Sequence, residues 1–248
     1  MGLTIRNNVC FTTMKKNLTI AAMALLLFSL SLAWAQEKKE PQFKLVQFQM
    51  ALLKRGPRWT GESNELTKKL ESEQRAYVNS LLESGKAVIA GRFDDDGEIR
   101  GVYILRTQSA DEGKAWAENS PVVKSGHLIA EMHPWLAEDV MKKTTTPEKS
   151  TRAYLGFLYR GDKWTPEKTA ATEELQRAHL ANIMRLAETK KLVVAGPFAD
   201  DTPLRGIFVF RVASIEEARE LAATDPAVQA GRLKIELHPW MVPEGILP

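Results

Sequence analysis

Cysteine is almost absent from the chain, which has a single one, Cys10, among its 248 residues. It lies upstream of an apolar N-terminal run, in a segment that we expect to be removed. The remaining sequence has no thiol, which excludes disulfide bonds and a cysteine nucleophile from the folded part. Its core must therefore be held together by side-chain packing alone.

Several enzyme motifs are also missing. The chain has no glycine-rich phosphate loop, no dinucleotide-binding glycine pattern and no Gly-x-Ser-x-Gly nucleophile elbow. These absences argue against the P-loop, Rossmann and α/β-hydrolase classes. Nothing in the sequence implies a bound cofactor, and we expect none.

The first 35 residues have the pattern of a secretory signal peptide. Lysines at positions 15 and 16 precede an apolar stretch that ends in Ala33-Trp34-Ala35, and such a pattern is typical of cleaved signals. A transmembrane anchor is the alternative, but the run is near the lower length limit and contains polar residues. We expect cleavage after Ala35, a secreted or periplasmic location, and no membrane contact afterwards. Either Met1 or Met14 is the start.

The charge of the mature chain is balanced. Three of the 34 basic residues and none of the 31 acidic ones lie in residues 1–35, so equal numbers of the two remain. The basic excess of a nucleic-acid-binding domain is therefore absent. We expect a small molecule as the partner, and no nucleic acid.

The mature sequence contains one unit twice. Arg55-Gly56-x-x-Trp59-Thr60 recurs 105 residues later as Arg160-Gly161-x-x-Trp164-Thr165. The same offset, without a gap, relates Ala90-Gly91-x-Phe93 to Ala195-Gly196-x-Phe198, Arg100-Gly101 to Arg205-Gly206, Pro121 to Pro226, and Glu131-x-His133-Pro134-Trp135 to Glu236-x-His238-Pro239-Trp240. This is a tandem duplication. We predict repeat 1 over residues 41–136, a polar linker over 137–150 and repeat 2 over 151–243.

Apolar patterning predicts the order βαββαβ in each repeat. Repeat 2 has predicted strands over 154–159, 192–195, 206–212 and 233–237, and a long helix from Pro166 to about residue 189. Ser214 and Glu217 form a capping-box pattern for its second helix, and Ser109 and Glu112 do so in repeat 1.

Two strand–helix–strand halves form a four-stranded antiparallel sheet with both helices on one face, the ferredoxin-like arrangement. The other face of that sheet is uncovered and requires a partner. Repeat 2 can cover repeat 1, so we predict an α+β fold in which two ferredoxin-like units form an intramolecular pseudo-dimeric α/β barrel. Further oligomerisation stays open.

The sequence resembles the YciI-like, or YCII-related, family. The shared features are a helical histidine, an Ala-Gly-Pro-Phe strand end, acidic turn residues, an Asp-Pro after the second helix and a terminal Pro-Trp. In repeat 2 these are His179, Ala195-Gly196-Pro197-Phe198, Asp200-Asp201, Asp225-Pro226 and Pro239-Trp240. The resemblance implies a dimeric α/β barrel, a pocket between helix and sheet, and a His–Asp pair proposed as catalytic.

The resemblance implies that His179 is the acid/base group, oriented by Asp200 or Asp201. Asp225 is a candidate second acid. Arg160 with Trp164 forms a basic, aromatic loop that suits an anionic ligand, and a purely structural loop is the alternative. Repeat 1 departs from the family at Gln74, Arg92 and Ser120. Any chemistry is therefore expected in repeat 2.

Each candidate also has a structural explanation. His179 lies on the apolar face of its helix and could be a core histidine. Asp200 and Asp201 could serve only their turn, since repeat 1 keeps both carboxylates without the histidine. Asp225-Pro226 could simply start a turn. His133 and His238 have no neighbours at ligand spacing, so no metal site is expected.

Two functions therefore remain open. One is a cofactor-free lyase, isomerase or hydrolase that uses His179 in a pocket of repeat 2 covered by repeat 1. The other is a non-catalytic pseudo-dimer with a small-ligand-binding or structural role. A His179 that lines a cavity within reach of a carboxylate would support the first.

Overall fold

A computed structural model describes residues 43–143 and 149–248. The predicted signal peptide and residues 144–148 of the predicted linker lie outside the described residues. Among the described helices, none is long and apolar enough to cross a membrane.

Both repeats contain the predicted order of elements, with one additional short helix before the last strand. Repeat 1 comprises β1 (Leu45–Arg55), α1 (Glu65–Glu83), β2 (Ala87–Phe93), β3 (Ile99–Leu105), α2 (Ala110–Glu118), α3 (Pro121–Lys124) and β4 (Leu128–Glu138). Repeat 2 comprises β5 (Ser150–Arg160), α4 (Ala170–Glu188), β6 (Leu192–Pro197), β7 (Leu204–Phe210), α5 (Ile215–Ala222), α6 (Pro226–Gln229) and β8 (Leu233–Pro243). Both β4 and β5 extend into the range predicted for the linker.

The long helix of repeat 2 begins later than predicted. The expectation that Pro166 lies in its first turn was wrong, because the helix is capped further along the chain. The Thr169 hydroxyl accepts a hydrogen bond from the backbone N of Thr172 at 3.2 Å, and the Thr172 hydroxyl accepts one from the backbone N of Thr169 at 2.9 Å. This reciprocal cap fixes the first helical residue at Ala170. Both predicted serine caps are confirmed.

All eight strands form one sheet in the order β4-β1-β3-β2-β8-β5-β7-β6. Each half has the strand order of a ferredoxin-like unit. The repeats join where β2 pairs with β8, with Phe93 opposite Trp240. They meet again where β4 approaches β6, through a bridge between Trp135 and Phe198. The sheet thus curls into a closed barrel, and the predicted pseudo-dimeric α/β barrel is confirmed.

Side chains alternate between the interior of the barrel and the helix layers. In β5, Leu155 and Phe157 belong to the barrel core, whereas Tyr154 and Leu158 pack beneath the helices of repeat 2. This alternation follows from the two-residue period of a strand. The helix-facing side of the repeat 2 sheet is therefore one wall of any pocket under α4.

A tryptophan and a glycine form each junction between the repeats. Trp135 and Trp240 are fully buried, and Trp135 Nε1 donates to the carbonyl of Gly196 at 3.1 Å. A Cβ atom at Gly91 would lie only 2.4 Å from Trp240 Nε1 and 2.5 Å from the backbone O of Met241. Glycine is therefore required for this close approach, and both tryptophans are packing residues.

Candidate functional site

His179 forms a buried pair with a carboxylate in repeat 2. Its Nδ1 atom lies 2.7 Å from Asp225 Oδ2, and Asp225 is fully buried while His179 keeps 9% of its surface exposed. The other oxygen, Oδ1, accepts a hydrogen bond at 2.8 Å from the backbone N of Ala227. Asp225 is thus the N-cap of α6 and the partner of the histidine at once.

This geometry defines the protonation of the imidazole. An ionised carboxylate can only accept hydrogen bonds, so in the neutral ring the proton is on His179 Nδ1. The Nε2 atom then keeps its lone pair, and it has no hydrogen-bond partner among the described residues. The ring is stacked against Phe208, with centroids 6.0 Å apart and planes inclined by 19°.

The predicted pairing of His179 with Asp200 or Asp201 was wrong. Asp200 bonds instead to His133 of repeat 1, with 2.6 Å between Oδ2 and Nδ1. Asp201 is 93% exposed and pairs with Arg160. Both lie on the turn after β6, which sends their side chains to the other repeat and to solvent. The sequence did contain a signal for Asp225, because His179 and Asp225 are replaced together in repeat 1.

A cavity of about 640 Å³ lies between α4 and the sheet of repeat 2, and His179 lines it. Most other lining side chains are apolar, and they include Leu175, Ile183 and Ile207. Repeat 1 and the start of the linker contribute the residues that complete the wall: Phe43, Leu45, Glu138 and Val140. The volume and the apolar lining with few polar groups are typical of small-molecule sites.

Repeat 1 replaces the pair with a different polar network. Gln74 occupies the position of His179, and its amide Nε2 donates to the hydroxyl of Tyr103, which stands where repeat 2 has Phe208. Burial raises the pKa of Tyr103 to about 12, so the phenol is neutral at physiological pH. Ser120, at the position of Asp225, is also fully buried. Repeat 1 has therefore lost the carboxylate as well as the imidazole.

Comparison of the two repeats also explains the cavity beneath α4. Two small residues that line the cavity, Ala187 and Ala227, correspond by the repeat offset to Leu82 and Val122, which are buried in repeat 1. Each replacement adds apolar volume at the equivalent place. Smaller side chains thus accompany the His–Asp pair in repeat 2.

The predicted binding loop adjoins one end of this cavity. Trp164 lines it, whereas Arg160 lies behind the indole with its Cζ atom 5.4 Å from the ring centroid. Two further arginines, Arg205 and Arg232, line the cavity and approach the same ring at 5.1 and 4.5 Å. Neither arginine was predicted as a site residue, although Arg205 belongs to a repeated Arg-Gly motif.

A second set of histidines links the two repeats. His133 pairs with Asp200, and His238 Nδ1 lies 2.7 Å from Asp95 Oδ2, so each bond crosses from one repeat to the other. Both rings are almost completely buried. No group of three or more potential ligands suited to a metal ion occurs within residues 43–143 and 149–248. These pairs connect the repeats and lie outside the residues that line the cavity.

Comparison with known proteins agrees with this architecture. The chain is 34% identical over 76 residues to the uncharacterised protein YjpA of Bacillus subtilis strain 168, a match over 29% of this chain and 87% of YjpA. A mutant chlorite dismutase from Candidatus Nitrospira defluvii has the same fold, with a TM-score of 0.50 at 11% identity over 84% of this chain and 94% of its own. A heme-binding protein from Thermus thermophilus also has a TM-score of 0.50, at 14% identity over 82% of this chain and 92% of its own.

The family comparison covers both repeats. The sequence profile of the YCII-related domain matches residues 50–135 and again residues 159–240. Each match spans one ferredoxin-like unit from its first strand to its last. The chain therefore belongs to the YCII-related domain family, and it contains that domain twice.

Proposed function

We propose that the protein binds a small molecule in the cavity of repeat 2 and transfers a proton to or from it through His179. The observation that carries this proposal is the 2.7 Å contact between His179 Nδ1 and the buried Asp225, on a ring that lines a cavity. A histidine that both lines a cavity and contacts a carboxylate favours an acid/base role over that of a core histidine.

The arrangement suits a general base that later acts as an acid. Asp225 holds the tautomer in which Nε2 is free to accept a proton, and its charge stabilises the imidazolium that results. Apolar side chains around the ring exclude water and strengthen this interaction. Lyase, isomerase and hydrolase reactions of a ligand without a cofactor all require such a step.

Only repeat 2 has this capacity. The amide of Gln74 cannot accept or release a proton in the physiological range, and its donor group is already bonded to Tyr103. Repeat 1 instead supplies part of the cavity wall. We therefore assign it a supporting role in binding.

The tautomer of His179 can be measured directly. Long-range ¹H–¹⁵N spectra of the mature protein should show neutral His179 with its proton on Nδ1, and Asp225→Asn should disturb that signal. Asp200→Asn is the matched control, because it should disturb His133 and leave His179 unchanged. A neutral His179 protonated on Nε2 would remove the lone pair that the base requires and would contradict the proposal.

Non-catalytic binding is the alternative, and exchange with solvent deuterium separates it from catalysis. A ligand found by NMR screening should exchange a carbon-bound proton in D₂O when wild-type protein is present. His179→Gln should still bind that ligand but should abolish the exchange. Equal exchange with both proteins would assign the cavity to binding alone.

Heme binding is a second candidate, favoured by one observation on His179. Histidines that bind a metal through one ring nitrogen usually donate the other to a carboxylate, and a proximal histidine is a common axial ligand of heme iron. One structural relative is described as a heme-binding protein. His179 would hold the iron through Nε2, and Arg205 and Arg232 would face the propionates. Titration with heme should then shift the Soret band, and His179→Ala should abolish the shift; an unchanged band would exclude this candidate.

A further inference from the structure

We propose that the ligand of the repeat 2 cavity is a small carboxylate with an apolar body. Its carboxylate would bind Arg232 and Arg205 beside Trp164, and its body would extend beneath α4 past His179. This inference rests on the proposed function, because it takes the cavity to be the ligand site.

Arg232 is the main reason for placing an anion there. Its guanidinium donates to the Thr165 hydroxyl at 3.1 Å and to the Thr165 carbonyl at 2.7 Å, both of them neutral oxygens. No carboxylate lies within 4.0 Å of it among the described residues. A half-buried guanidinium in a cavity wall without a counter-ion is suited to a carboxylate, which it can bind through two parallel hydrogen bonds.

Arg205 adds a second positive charge at the same end. Its Nη1 donates to the backbone carbonyls of Asp200 and Thr202 at 3.2 and 3.4 Å. Its salt-bridge partner is the exposed carboxylate of Asp201, at 3.8 Å, which also pairs with Arg160. Arg160 and Arg205 thus share one carboxylate and Arg232 has no ion pair in the described part of the chain, so the three guanidiniums around Trp164 carry a positive excess.

Repeat 1 provides an internal comparison for Arg232. Its equivalent tryptophan, Trp59, is contacted by Arg55 and Arg100, with Cζ atoms 5.6 and 5.1 Å from the ring centroid. At the position of Arg232, however, repeat 1 has His127, whose Nδ1 lies 3.0 Å from the Ser125 hydroxyl. Two arginines therefore suffice to pack the tryptophan. The third occurs only in the repeat that has the His–Asp pair, which points to a role in binding.

The opposite end of the cavity has large apolar side chains, next to the carboxylates of Glu138 and Glu188. Arg205 lies at the C-terminal end of β6, because it precedes Gly206, which pairs with Pro197, the last residue of that strand. Val140 lies towards the first residue of β6, because β4 approaches β6 in the antiparallel direction. Leu45, Val140 and Met184 line this end, and all three are exposed large apolar side chains. Such a rim is typical of a surface that is covered by an apolar ligand.

His179 lies between these two ends, in the middle of α4. A carboxylate held at Arg232 would leave the carbon atoms of the ligand next to the free Nε2. The two arginines would orient the ligand, and the histidine would act on a carbon-bound or hydroxyl proton of its body. Charge recognition and proton transfer would then be carried out by different residues.

A matched pair of competitors tests the anion site. N-phenyl-1-naphthylamine, a neutral fluorescent probe, reports occupation of the cavity, and 1-naphthoate and 1-naphthamide compete for it with the same ring but a different charge. The carboxylate should displace the probe about tenfold better than the amide in wild-type protein. Arg232→Gln should abolish this preference, and Arg232→Lys, which keeps the charge but not the two parallel hydrogen bonds, should reduce it. The repeat 1 control Arg100→Gln should leave it unchanged.

Ala187→Leu, which introduces the residue of repeat 1, should weaken binding of the neutral probe by filling the cavity. Circular dichroism and melting curves establish that each variant is folded. Equal displacement by the two competitors in wild-type protein would overturn the anion site and leave the acid/base proposal standing. Absence of probe binding, or binding that Ala187→Leu does not change, would overturn the ligand cavity itself and the proposed function with it.

Discussion

Three side chains decide what the space beneath the long helix can do. In repeat 2 they are His179, Phe208 and Asp225, and the equivalent residues of repeat 1 are Gln74, Tyr103 and Ser120. The two sets form different hydrogen bonds. In repeat 2 the histidine donates to a carboxylate, and in repeat 1 the glutamine donates to a phenol. A single replacement mixes the two solutions and leaves a buried group without a partner.

The first prediction concerns variants in which residues of the repeat 1 network replace their equivalents in repeat 2. Asp225→Ser alone should lower the free energy of unfolding by about 1–3 kcal/mol, because His179 Nδ1 and the backbone N of Ala227 lose their acceptor. Adding His179→Gln and Phe208→Tyr should recover part of this loss, since the three residues then match repeat 1. Urea denaturation of the single and triple variants measures both values. Strictly additive costs would show that the residues do not act as one network.

The second prediction concerns alkaline pH. Burial raises the pKa of Tyr103 to about 12 from an ordinary value of 10, so above pH 10 the unfolded chain releases this proton before the folded one does. The stabilising effect is fully present below pH 10 and is lost as the pH rises towards 12. Unfolding free energies at pH 9 and pH 11 should therefore differ less in Tyr103→Phe than in the wild-type protein. An identical difference in the wild-type protein and in Tyr103→Phe would contradict the raised pKa of Tyr103.

At the scale of elements, close approach between strands joins the repeats. The pairing of β2 with β8 is short, and it depends on the space left by a missing side chain. Gly91 faces both the indole of Trp240 and a backbone oxygen. Because a backbone atom cannot rotate away as a side chain can, a methyl group at this position must separate the strands.

The third prediction follows from this contact. Gly91→Ala should lower the free energy of unfolding by more than about 2 kcal/mol, because the added methyl group overpacks a buried junction. The neighbouring Ala90→Gly is the control on the same strand, and it should cost only about 0.5–1 kcal/mol. Melting temperatures of the two variants provide the comparison. A larger loss of stability in Ala90→Gly than in Gly91→Ala would show that the junction tolerates the added methyl group.

The repeat pattern predicted these elements well because the information is local. Strand alternation and serine caps are properties of neighbouring residues, and the 105-residue offset shows that the same pattern occurs twice. Together they specify two ferredoxin-like units. The partners of individual polar side chains were harder to predict. Asp200 follows a strand of repeat 2 and bonds to a histidine of repeat 1, and no pattern within one repeat encodes that contact. The true partner of His179 was visible only as a paired difference between the repeats.

At the scale of the whole molecule, two His–Asp pairs connect the halves of the barrel, each with a buried imidazole and a partly exposed carboxylate. His133 with Asp200 and His238 with Asp95 are related by the repeat offset, and each spans the two repeats. Buried polar groups of this kind are costly when one partner is lost. The pairs therefore favour the arrangement in which both halves close on each other.

The fourth prediction compares adjacent carboxylates. Asp200→Asn should lower the free energy of unfolding by about 1–3 kcal/mol, because buried His133 loses a charged acceptor. Asp201→Asn should change it little, since that side chain is 93% exposed and its ion pair is screened by solvent. Urea denaturation of both variants tests the difference. Similar losses in the two would show that the link between repeats contributes no stability.

Part of the cavity wall comes from the first half of the barrel, and this has a consequence for affinity. In a barrel assembled from two separate chains, dilution would pull the subunits apart and dismantle such a site. Here both halves belong to one polypeptide, so the wall residues Phe43, Leu45, Glu138 and Val140 remain beside the histidine at any protein concentration. The tether also frees the halves from identity, because a substitution in one is not copied into the other. One half can therefore form part of the wall while the other retains the pair of His179 and Asp225.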